Sequence, residues 1–171
     1  MGDCDRLRYR VEMVELDKFI KIFEGLTSAY GQTIKTDQFS EKGKHKTKSF
    51  TISNPVTKKL WREHLEGKDP ALGIVPINKE NKCKWGCIDI DTYPFDHKKF
   101  IQKLKEKNIP MVVCRSKSGG AHAFLFTKEF VPATVMRVKL KLIASAMGFA
   151  GVEIFPKQNY IRVDRGETGS C

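Results

Sequence analysis

Two apolar runs, Met111 to Arg115 and Ala121 to Thr127, stand five residues apart, joined by Ser116-Lys117-Ser118-Gly119-Gly120. A parallel neighbour needs a crossover of roughly a dozen residues or more, so strands this close pair as a hairpin, with a loop length typical of a bulged turn. The sheet is therefore at least partly antiparallel. Around that hairpin the segments alternate in kind. Leu16, Phe19, Ile20, Phe23 and Leu26 recur at helical spacing between Val14 and Thr27, and Leu60, Trp61, His64 and Leu65 do so between Thr57 and Glu66. Asp96 to Lys107 reads as a third helix stopped by Asn108 and Pro110; Pro132 opens a fourth that runs to about Met147, where Gly148 caps it. Leu72 to Ile77, Trp85 to Asp91 and Val152 to Phe155 read as strands, with Tyr160 to Val163 as a last short one. Helices and strands interleaved in this way predict an α+β fold.

Charge narrows the partners. Against 20 Asp and Glu the chain carries 31 Lys and Arg, a formal net charge of +11, which suits a polyanion such as nucleic acid or, more simply, a hydrated basic surface. The polar stretch Glu41 to Lys48 has no apolar period and is expected to be a solvated loop. Its Lys42, Lys44, Lys46 and Lys48 are candidates for contact with DNA phosphates. Five scattered cysteines without a secretory signal predict a reducing, cytoplasmic setting, and no apolar run approaches a membrane span. Cys83, Cys87 and His97 fail as a zinc site, because Cys87 falls inside a strand and no second cysteine pair follows.

Three constellations carry chemistry. In Asp89-Ile90-Asp91 the period of a strand sends both carboxylates to one face, with Cα atoms roughly 6.5 Å apart. Divalent cations would relieve the repulsion between them, although a hydrated strand end has the same pattern. In Ser118-Gly119-Gly120-Ala121-His122 the glycines let backbone amides approach a phosphate, and Arg115 and Lys117 add charge. His122 shares a face with Phe124 and Phe126, so it also reads as a core histidine. In the third, Glu153 sits within the apolar run Val152 to Phe155 and needs a cation, a donor or a metal; Lys157 is its ordinary partner.

Taken together, I-D-I-D at 88–91, S-K-S-G-G-A-H-A-F at 116–124 and V-E-I-F-P-K-Q at 152–158 resemble the three motifs of the archaeo-eukaryotic primase superfamily. The wording is closest to the primase domain of TOTE conflict systems and related phage primase-polymerases, and the likeness spans residues 57–171. The resemblance implies an RRM-like sheet over about residues 81–171, an N-terminal α/β module over about 1–80, and an active-site cleft between them. It implies a DNA primase or primase-polymerase that uses Mg2+ or Mn2+ to join NTPs or dNTPs on a single-stranded DNA template. Asp89, Asp91 and Glu153 would be metal ligands, and His122 would contact the phosphates of the incoming nucleotide. Arg115, Lys117, Ser118, Gly119, Gly120 and Lys157 complete the expected nucleotide site. Where relatives often carry Asp, this chain has Val152, and Asp164 is the reserve for the third ligand. By the same resemblance an apolar strand would normally follow the last residues, so a catalytic domain of a longer protein is expected, with a helicase domain or protein as a candidate partner. Two other readings share the residues: a metal-dependent nuclease, and a non-catalytic single-strand binder that stacks bases on Phe124 and Phe126.

Overall fold

The structure, a computed structural model, describes residues 15–39 and 45–170. Among the described residues the fold is α+β, with two antiparallel sheets and four α-helices. The first helix, α1, covers residues 15–22 and stops short of the end expected near Gly25 or slightly later. Its successor segment has to lie flat: Leu26 N donates to Val75 O at 2.9 Å, and a Cβ on Gly25 would stand 2.1 Å from that same carbonyl.

The first sheet has the order β2-β1-β3, built from β1 (Tyr30–Phe39), β2 (His45–Ile52) and β3 (Ala71–Gly73). Here two expectations are corrected. Residues 45–48 open a strand rather than continue a solvated loop. The strand predicted at Leu72 to Ile77 pairs only at its start, because Val75 and Ile77 leave the ladder to bury completely in the core. The β1/β2 hairpin escaped notice because Tyr30–Phe39 lacks the alternation of a half-buried strand. Helix α2 (Lys58–Leu65) sits between the strands, its N-terminus capped by Thr57 Oγ1 accepting from Leu60 N at 3.3 Å.

The second sheet has the order β5-β6-β4-β7. Its elements run β4 (Lys82–Ile90), α3 (His97–Glu106), β5 (Val112–Arg115), β6 (Ala121–Pro132), α4 (Ala133–Ala146) and β7 (Glu153–Phe155), a β-α-β-β-α-β succession. The β5/β6 hairpin forms as its loop length predicts. Strand β6 runs five residues beyond the expected Thr127, crossing a bulge to pair Val131 with Cys83. Tyr160 to Val163 is not a strand; a 3-10 turn occupies Val163–Arg165 instead.

The two faces of this sheet differ. Ile88, Ile90, Ala121, Ala123 and Leu125 are buried in the core cluster that includes Phe100 of α3 and Met136 and Leu140 of α4. Gly86 has no room for a side chain there, since a Cβ would lie 2.6 Å from Leu140 Cδ1. Neighbours on each strand point the other way, toward α1, α2 and the first sheet. Among the described residues no helix is long and apolar enough to cross a membrane.

Candidate active site

Register brings the three constellations to one face. Asp89 on β4 pairs with His122 on β6 to one side and with Glu153 on β7 to the other. Cross-strand partners in an antiparallel ladder share a face, so these side chains emerge as a row above the sheet. Asp91 lies just beyond the strand end and is exposed. The expected apposition of one carboxylate, an imidazole and a second carboxylate thus comes from strand pairing rather than from loops.

Asp89 is half-buried, with its Oδ1 atom shielded from solvent. Its Oδ1 is 3.4 Å from His122 Nε2, an ion-pair distance without hydrogen-bond geometry, and it is left with no hydrogen-bond partner. Burial pushes the Asp89 carboxyl above the ordinary carboxylate range; His122 opposes that shift, while the Asp91 and Glu153 carboxylates add to it. Glu153 differs from expectation. It is exposed rather than buried, and its Oε1 takes an ion pair from Lys157 Nζ at 2.7 Å. The ammonium of Lys157 also lies 5.0 Å from the Phe155 ring centre. Asp164 sits exposed on the 3-10 turn and is not among the charges that act on Asp89.

The glycine loop is tied to the acidic strand by two residues that the motifs did not reveal. Tyr93 donates its hydroxyl proton to Asp91 Oδ1 at 2.7 Å, and its oxygen lies 2.6 Å from Ser118 Oγ, which is 3.2 Å from Ser116 Oγ. His97 Nε2 meets Gly120 O at 2.9 Å. Both anchors come from the short stretch after Asp91, and only their sequence proximity to it was visible beforehand. Inside the loop, Ser116 N donates to Gly120 O and Gly119 N to Ser116 O. Gly119 has φ +100°, which glycine adopts without strain, and Gly120 lies so close to β4 that a Cβ would be 2.2 Å from Ile90 O. Lys117 is exposed on the loop; Arg115 registers with Ala121, on the face opposite His122, with its guanidinium beside Gly119.

A cavity of about 630 Å³ opens over Asp89 and His122, while Glu153 lies outside its lining. Asp89, His122, Cys114 and Phe155 line it from the second sheet, and Phe19, Trp61, Thr33 and Leu72 from the N-terminal elements. Phe23 closes one end, packing edge-on against Trp85, Phe124 and Phe126 at ring-centre distances of 5.4 to 5.6 Å. Of the lysines expected at DNA, Lys42 and Lys44 lie outside the described residues, as does the side chain of Lys46. Lys48 is exposed on β2, in register with Ile34. Cys83 and Cys87 are buried free thiols, and burial pushes Cys83 up to about 12.

Among the described residues, no group of three His, Cys, Asp or Glu side chains is drawn together tightly enough to hold a metal ion. The donors nonetheless suit a hard divalent cation in kind. They are carboxylate oxygens, and one of them, Asp89 Oδ1, is buried and lacks a hydrogen bond. A cation there would satisfy that atom and remove the cost of ionising Asp89 beside two other carboxylates. A family model described as "TOTE conflict system, Archaeo-Eukaryotic Primase domain" matches residues 17–171. No curated protein matches the chain.

Proposed function

The chain belongs to the archaeo-eukaryotic primase domain family of TOTE conflict systems, and on that premise we propose that it is a primase-polymerase catalytic domain. It would extend a 3′-hydroxyl on single-stranded DNA with NTPs or dNTPs. Family membership supports nucleotidyl transfer at the family level. The observation that carries the finer reading is the register of Asp89 between His122 and Glu153 on one sheet face, with a cavity large enough for a nucleotide over Asp89 and His122. The β-α-β-β-α-β order of the second sheet supports an RRM-like core, and the lining of the cavity from both sheets supports a cleft between two modules.

Asp89 and Asp91, with Glu153, are the residues that would hold Mg2+ or Mn2+. When bound, such ions lower the pKa of an attacking hydroxyl and neutralise a leaving pyrophosphate. The remaining work falls to the chain itself. The glycine loop presents backbone and Ser118 toward phosphate oxygens, with Lys117 supplying charge nearby. His122, in contact with Asp89, orients toward the same cavity and donates to a phosphate when protonated. Tyr93 keeps Asp91 and Ser118 together, so the acidic and phosphate-facing halves hold one spacing. Lys157 must leave Glu153, or neutralise it in place, before that carboxylate can serve another cation. Stacking of bases on Phe124 and Phe126 is disfavoured, because Phe23 packs against both rings.

The test is incubation with circular single-stranded DNA, labelled NTPs or dNTPs and Mn2+, without primer, followed by denaturing electrophoresis. Labelled product is expected from the native chain and none from Asp89→Ala, which should still bind template. Synthesis retained by that variant would refute the assignment. Shortening of the circle without any need for nucleotide would turn the same carboxylates into a nuclease.

A further inference from the structure

Helix α3 segregates its sides: Phe100 and Leu104 are buried, while Lys98, Lys99, Lys103 and Lys105 are exposed. Helix α4 does not. Its inner side buries Met136, Leu140, Ile143 and Ala144 against the second sheet, yet Val135, Val138 and Leu142 are 56%, 59% and 63% exposed. Positions three and four apart lie one above another on a helix, so these three form a continuous apolar seam. The seam runs along the side opposite the core. A helix with a second apolar stripe opposite its core side is the pattern of one covered on both, and a run of branched aliphatics in water is otherwise an aggregation risk.

The charges flanking the seam say what covers it. The exposed Lys139 and Lys141 border it, and Ala133–Ala146 contains no Asp or Glu. Arg137 is held by the carbonyls of Pro156 and Lys157, which fixes one edge of the face. A second copy packed on this face would set two lysines against two lysines, which disfavours a homodimer here. Nucleic acid would meet the lysines, but the aliphatic seam between them offers it nothing. We propose that the outer face of α4 docks an amphipathic helix of a partner protein, with aliphatic residues along its seam and Asp or Glu on its flanks. The face is remote from the chemistry, because α4 packs behind the sheet and the carboxylate row lies in front of it. Docking there leaves the cavity open, so the proposal does not depend on the catalytic reading.

The probe is a fluorescent synthetic peptide of about 18 residues, long enough to form helix, with leucines along one seam and glutamates flanking them. A twin peptide carries lysines in place of the glutamates. Fluorescence anisotropy with the full chain should show saturable binding of the acidic peptide and none of the basic twin. Leu142→Asp should weaken it about tenfold or more, as loss of one buried leucine implies. Lys139→Glu with Lys141→Glu should weaken it as well, with melting temperatures unchanged because all three side chains face water. Equal binding to native chain and Leu142→Asp, no binding of either peptide, or displacement of the peptide by oligothymidylate would overturn the proposal. So would sedimentation showing that the native chain dimerises and that Leu142→Asp abolishes the dimer, since the occupant would then be a second copy.

Discussion

Asp89 Oδ1 lies buried 3.4 Å from His122 Nε2 without a hydrogen bond, in a carboxyl that burial and two neighbouring acids push above its ordinary pKa of 3.8. Such a carboxyl binds its proton more tightly folded than unfolded, so stability falls as pH rises from 3.8 through the higher folded value. Asp89→Asn removes that cost. In metal-free buffer its melting temperature should exceed the native one at about pH 7 and converge with it toward about pH 4. Extension activity should be lost at both. An Asn variant less stable than the native chain at neutral pH would show that His122 already compensates the charge. Tyr93 makes the opposite case, a residue exposed to water yet bound to both halves of the site. Its hydroxyl links Asp91 to Ser118 and so sets the spacing of the two halves, and Tyr93→Phe should lower kcat/KM on the order of tenfold. The loss should divide between kcat and nucleotide KM while the melting temperature barely moves. A loss of stability matching the loss of activity would make Tyr93 a structural residue instead.

At the scale of elements, the distance between the glycine loop and β4 decides how the loop meets the acidic strand. Ile90 and Ala121 are the last paired residues of the central ladder, and Gly120 follows them at a separation that leaves no room for a methyl group. Gly120→Ala must push β6 from β4 and should cost on the order of 2 kcal/mol, together with most of the activity. Gly119→Ala strains only its own backbone at φ +100°, its Cβ meeting the Arg115 guanidinium at an ordinary contact of 3.8 Å, and should cost about 1 kcal/mol. Urea melts of the two variants check the order; equal losses would mean that the loop shifts freely. The elements also show where periodicity serves and where it misleads. The four helices and the β5/β6 hairpin were legible because apolar spacing or loop length left one solution. The β1/β2 hairpin was not, since Thr33, Ser49 and Thr51 give its strands no apolar face to read. Phe23 was expected within a helix and instead follows its last turn, where the aromatic cluster of Trp85, Phe124 and Phe126 holds it.

On the scale of the molecule, two sheets meet at one cavity, and each contributes what the other lacks. The N-terminal elements bring Phe19, Trp61 and Leu72 as walls, and the second sheet brings Asp89 and His122. The chain carries a net charge of +11 while the row on its second sheet holds two carboxylates, a balance that fits the polyanionic partner proposed above. The carboxylates, the histidine and the glycine turn, along with the family they resemble, were determined by the sequence itself, because short motifs carry chemistry in residue type and spacing. Strand pairing alone decided that Asp89 stands between His122 and Glu153. Folding alone decided that Tyr93 and His97 clasp the glycine loop and that the outer side of α4 is left bare. Each of these rests on contacts between residues distant in the chain, and spacing along a sequence holds no information about which surfaces will close on one another.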